Sequence, residues 1–160
     1  MLAIDETTIR ASFINASRKE ISDITLPAHF ADLDFDRLDY LGWRDPRIAR
    51  RAYIVVPVDD TFVGIVLKQA EASPRSRAQC SWCQDITLPN DVLLYSARRS
   101  GAAGRKGDTV GTLICADFQC STNVRKLPPV AYLGFDVEAA RLDRIATLRE
   151  RAATFASNIL

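Results

Sequence analysis

Two runs rich in β-branched residues, AYIVVPV at 52–58 and FVGIVLKQ at 62–69, stand out along the chain. Asp59-Asp60-Thr61 separates them, so the pattern predicts a β-hairpin. Ahead of it, Ile9, Phe13 and Ala16 share one helical face over residues 5–21, with Ile14 and Ile21 at its edge and Asp5 or Thr7 as the cap. TLPAHF at 25–30 breaks that helix. Leu33, Leu38 and Leu41 suggest a second short helix over 31–41 before GWRDP turns the chain.

Beyond the hairpin, EASPRSRAQ (71–79) is a polar connection. VLLYSARR (92–99) and TVGTLIC (109–115) read as two further strands. SGAAGRKGD (100–108), with three glycines and two cations, reads as a mobile hairpin tip between them. A short helix is expected over 117–126, ended by KLPPVAYLGF. A long one follows from Asp136, its N-cap, to Ser157; Ile145, Leu148, Ala152, Phe155 and Ile159 recur at spacings of three and four and predict packing against the sheet. The expected class is α+β: a small antiparallel sheet with flanking helices and one embedded metal-binding element. No connection is long enough to be a linker, so residues 1–160 are expected to form one domain.

The four cysteines form two close pairs, Cys80/Cys83 and Cys115/Cys120, one on each side of the second predicted hairpin. A C-x2-C turn points two thiolates inward from one knuckle, and C-x4-C lets one thiolate end a strand while the other opens a helix. Knuckle, hairpin and helix is the order of a treble-clef zinc finger, here over about 78–127. Two disulfides, four separate core cysteines and a redox C-x2-C remain as alternatives. The start MLAIDETTIR lacks a signal-peptide pattern and no run reaches the length of a membrane span, so a cytoplasmic chain is expected. Thiols stay reduced there, which favours one structural Zn2+ on Cys80, Cys83, Cys115 and Cys120.

Charge changes the picture only locally. The chain is near neutral at +1, yet residues 71–107 carry six cations against three acids. Catalysis finds no support. Four thiolates would close the zinc shell, His29 is the sole histidine and is remote in sequence, and no nucleophile, phosphate-loop or dinucleotide motif occurs. No enzyme is expected.

LGWRDP, RRAYIVVP, VGIVLK, CSWC and above all GTLICADFQCSTNVR resemble the elongation-factor-G-binding treble-clef family, whose best-known members are the fusidic-acid-resistance proteins. The resemblance is clearest over residues 40–130. It implies a four-cysteine zinc finger on an α/β domain that docks on elongation factor G and helps it leave the ribosome. The resistance proteins carry an additional N-terminal helical bundle, against one or two helices expected here. In the family, aromatic and basic residues on the finger and neighbouring loops make the contact. By that analogy Trp82 and Phe118 on the finger, and Arg98, Arg99, Arg105 and Lys106 around the hairpin tip, are the candidate contacts. Covering the zinc cluster is the competing role for both aromatics, and for Phe118 the favoured one. The expected partner is elongation factor G, bound by a monomer. The alternative is a zinc-dependent RNA- or ribosome-binding module, with the tip on phosphates and Trp82 stacking a base.

Overall fold

The computed structural model describes residues 1–71, 78–87 and 91–160; most of the 71–79 connection, with Arg75 and Arg77, lies outside them. Five strands, β1 (Leu41–Arg44), β2 (Arg51–Val58), β3 (Thr61–Gln69), β4 (Val92–Arg98) and β5 (Thr109–Cys115), form an antiparallel sheet in chain order. Five helices flank it: α1 (Glu6–Ser12), α2 (Arg18–Ser22), α3 (Gly101–Arg105), α4 (Cys120–Arg125) and α5 (Val137–Ser157). The hairpins and α5 therefore fall where the periodicity placed them, and the class is α+β.

The sheet is covered on both faces, which is why β2 is buried almost end to end. Ala52, Ile54, Val56, Ile65, Leu67, Tyr95 and Ala97 face a core shared with the cysteines, α4 and α5. Tyr53 and Val55, one residue out of step, join Leu41 and Trp43 under the N-terminal segment with Ile4, Ile9 and Phe13. Alternation along one strand thus serves two cores.

Three expectations need correction. The 5–21 helix is two helices, α1 and α2, separated by an extended stretch. The cause is tertiary: β3 pairs with β4 only at Lys68↔Ser96 and Gln69↔Tyr95, so the strands splay and expose backbone. Residues 13–15 fill that wedge. Ile14 N–H donates to the Gly64 carbonyl, and the Asn15 side chain accepts from Val66 N–H while donating to the carbonyls of Val66 and Arg98. A Cβ on Gly64 would meet Ser12 Oγ at 2.5 Å, so the approach needs glycine. Ser17 then restarts the helix with a capping box to Glu20.

The 31–41 helix is replaced by two 3-10 turns, Phe30–Asp32 and Phe35–Arg37, followed by β1. Asp34 accepts from Asp36 N–H, a local bond that competes with helix, and the Met1 ammonium donates to the Phe35 carbonyl at 2.8 Å. The 100–108 tip, expected to be mobile, contains one helical turn, α3. It is anchored beside the chain's last residues, because Ser100 N–H donates to the Ile159 carbonyl and its hydroxyl to that of Leu160, both at 2.8 Å.

Candidate metal centre

The first two thiols come from a knuckle. Gln84 N–H donates to the Cys80 carbonyl at 3.1 Å and Gln84 takes a positive φ of 52°, which closes the turn. Ser81 N–H caps the knuckle onto β5 through the Leu113 carbonyl, 2.8 Å away. Cys115 ends β5 and Cys120 opens α4. The loop between them turns at Phe118, another positive-φ residue (56°). Its ring lies on Gly42 of β1, where any Cβ would sit 2.7 Å from ring atoms. The Tyr40 hydroxyl donates to its carbonyl at 3.1 Å.

These elements bring the four buried Sγ atoms within 4.8 Å of one another, with Cys80–Cys120 at 3.6 Å and Cys83–Cys115 at 3.5 Å. Four sulfurs about 2.3 Å from a tetrahedral zinc lie roughly 3.8 Å apart, so the cluster matches that geometry. A disulfide needs about 2.0 Å, and all four cysteines are free. The donor set fits one structural Zn2+, and four sulfurs leave no open position on it.

The surroundings are built for negative sulfur. N–H groups of Trp82 and Cys83 point at Cys80 Sγ at 3.4 and 3.5 Å. The Asn123 amide donates toward Cys115 and Cys83 Sγ at 3.6 and 3.8 Å, and its oxygen accepts from Lys126 Nζ at 3.0 Å. The thiols influence one another strongly. Donation from Cys115, then Cys120, pushes the Cys80 thiol far below its ordinary range, and Cys83 is lowered to about 7, chiefly by Cys115. Cys120 is pushed up, with its bond to Cys115 the largest cause. Burial, reinforced by Cys120, keeps the Tyr40 hydroxyl protonated well above its ordinary value.

Three arginines of α5 fasten the finger. Arg144 donates to the carbonyls of Asn123 and Lys126, and Arg151 to that of Trp82. Arg149 Nε reaches Asp39 Oδ1 at 2.8 Å, and Arg125 of α4 grips the same fully buried carboxylate. The apolar stripe of α5 says nothing of these arginines; their carbonyl and carboxylate partners reveal the role. Asn123 stood inside the quoted cysteine motif without a role of its own.

The family model of the FBP C-terminal treble-clef zinc-finger matches residues 8–159. The chain belongs to that family. A solved structure entitled fusidic acid resistance protein FusC is similar at 25% identity and a TM-score of 0.47, over 66% of this chain and 46% of that one. The chain thus spans less than half the length of that protein. No curated protein matches the chain.

Within this treble clef the proposed contact residues are scattered. Trp82 is 2% exposed, its indole N–H held by Thr112 Oγ1 and its ring between Tyr40 and Phe155. Phe118 is 7% exposed and packs on Tyr95. Both aromatics therefore cover the cysteine cluster and present no open ring. The 99–106 tip lies at the opposite end of β5 from Cys115, roughly 20 Å along the strand, so it does not rise beside the knuckle. Arg99, Arg105 and Lys106 belong to that tip. Arg98 turns its guanidinium toward the Asn15 carbonyl and Glu20. What does flank the finger is the segment after α4: Leu127, Val130, Tyr132 and Leu133 are 66, 69, 65 and 102% exposed. The sequence signal was the apolar run in KLPPVAYLGF, read only as a helix stop. Among the described residues no helix is long and apolar enough to cross a membrane.

Proposed function

We propose that the protein is a non-enzymatic binding module for translation elongation factor G that promotes the factor's release from the ribosome. The observation that carries this reading is membership of the FBP treble-clef family over residues 8–159, taken with the elongation-factor-G-binding activity that the GTLICADFQCSTNVR resemblance implies. A closed four-sulfur centre supports binding over catalysis, because it offers rigidity without a reactive position. A preorganised finger loses less entropy on association. Preference for one conformation of the factor would then shift its population without chemistry.

The contact surface in this reading is the 126–135 segment, which leaves the metal-anchored α4 and exposes a contiguous run of apolar side chains of the kind that marks interaction sites. Tyr132, braced edge-on by Phe135, is the best anchor. Calorimetric titration with the cognate factor tests this. Tyr132→Ala with Leu133→Ala should weaken binding at least tenfold while zinc content stays unchanged, and Arg105→Glu with Lys106→Glu should act mainly on the association rate. Absence of binding by the intact protein on the order of tens of micromolar would refute the proposal.

A further inference from the structure

The sheet face opposite the zinc centre carries a second feature. Arg51 of β2 stands directly across from Lys68 of β3, and Lys68 directly across from Ser96 of β4. Arg98 projects from the same face two residues beyond Ser96. These side chains share a concave groove with Arg50, bordered by Asn15 and by Glu20 of α2. Opposed like charges across a strand pair are destabilising, so this row is not explained by the fold.

Nearby acids compensate only in part. Glu20 lines the groove and feels both Arg98 and Arg51, but its Oε2 stays 4.0 Å from Arg98 while accepting from the Ser17 N–H in the α2 capping box. Arg50 pairs with Glu71 at 3.1 Å, and Asp45, which also feels Arg51, is held by Tyr53 and two backbone N–H groups. Lys68 is exposed and in no ion pair among the described residues. Arg98 pairs with Thr109 at the end of β4 and β5, and the tip that bears Arg99, Arg105 and Lys106 connects these two strands.

We infer that this groove binds the phosphodiester backbone of RNA, at a site separate from the zinc finger. Its lining contains no aromatic residue. A protein partner would be expected to find an aromatic anchor at the centre of its contact, and the exposed apolar side chain that lines this groove, Ile48, is not one. Phosphates need only the cations. The same absence removes base stacking, so recognition is by charge and independent of sequence. The inference does not rest on the elongation-factor reading.

Fluorescence anisotropy at low salt, with labelled oligouridylate and oligoadenylate of roughly 12 nucleotides, tests it. Both should bind with similar affinity. Three or four phosphate contacts give a log–log salt slope of about −2 to −3. Lys68→Gln with Arg98→Gln should reduce affinity at least tenfold and flatten the slope by about 0.7 per lost contact, while Arg37→Gln on a remote turn changes neither. Zinc content and titration of the elongation factor should be unaffected by the groove pair, which separates this site from the finger. Three results overturn the inference: no RNA binding at low salt, binding indifferent to the groove pair, or equal binding of a polyglutamate peptide, which would assign the groove to an acidic protein surface.

Discussion

Replacing Gly42 with alanine strikes the joint between finger and sheet. The new Cβ would lie 2.7 Å from Cγ and Cδ1 of Phe118 and 2.8 Å from its Cβ. A flexible side-chain end could swing away, but here the Phe118 Cβ itself is in the way, so the C-x4-C loop must shift. Overpacking of this kind costs about 1–3 kcal/mol. Displacing Phe118 also loosens its ring contact with Tyr95, at 5.5 Å between centroids, worth about 0.5–1.5 kcal/mol. The 3.1 Å bond from Tyr40, of similar worth, goes with it. Since the losses overlap, the expected destabilisation is about 2–3 kcal/mol, a fall in Tm of about 4–12 °C for a chain of this size. Urea unfolding of the zinc-loaded protein measures it, and zinc transfer to a colorimetric chelator should be faster in the variant. Phe118→Ala in the Gly42→Ala background should recover part of the overpacking cost, giving a favourable coupling in a double-mutant cycle. A change below about 0.5 kcal/mol, or strictly additive effects, would refute the claim that Phe118 locks the finger onto β1.

Metal analysis should give one zinc per chain, and Cys115→Ser should release it and raise amide exchange over 80–126, since metal binding and folding are linked here. Asp39→Asn should cost about 2 kcal/mol or more by chemical denaturation, because it strips Arg125 and Arg149 of a fully buried counter-charge; Arg149→Gln, on the more exposed partner, should cost much less. Burial works against the Asp45 carboxylate, but donation from Tyr53 and from the Arg47 and Ile48 N–H groups outweighs it and lowers its pKa below the ordinary 3.8. Its contribution to stability is therefore present above that value and lost as pH falls through the lower folded value, so Asp45→Asn should flatten the acid limb of a stability–pH curve. Trypsin cleavage at Arg75 or Arg77 should leave the two fragments associated in one cooperative unit; release of two independently folded pieces would show separate domains.

Much of the molecule was written in local pattern. The hairpin of β2 and β3, the strands β4 and β5 and the helix α5 each carry enough period-two or helical repetition to be read alone. The zinc ligands were legible for a different reason: C-x2-C and C-x4-C impose their geometry within a few residues, whatever surrounds them.

Tertiary structure decided the rest. Phe13–Asn15 leave a helix that their own spacing supports, because splayed β3 and β4 offer unpaired backbone groups that only an extended segment can satisfy. Leu41–Arg44 become a strand because β2 supplies the pairing edge, although GWRDP locally reads as a turn. An aromatic inside a zinc knuckle has two fates in sequence, partner anchor or core lid. Trp82 became the lid because α5 and Tyr40 close over it. Arg51, Lys68 and Arg98, dispersed along the chain, form one row only because strand register sums their charges on a single face. Periodicity reports how a residue meets its own neighbours; which distant groups it must satisfy is known only once the chain has closed.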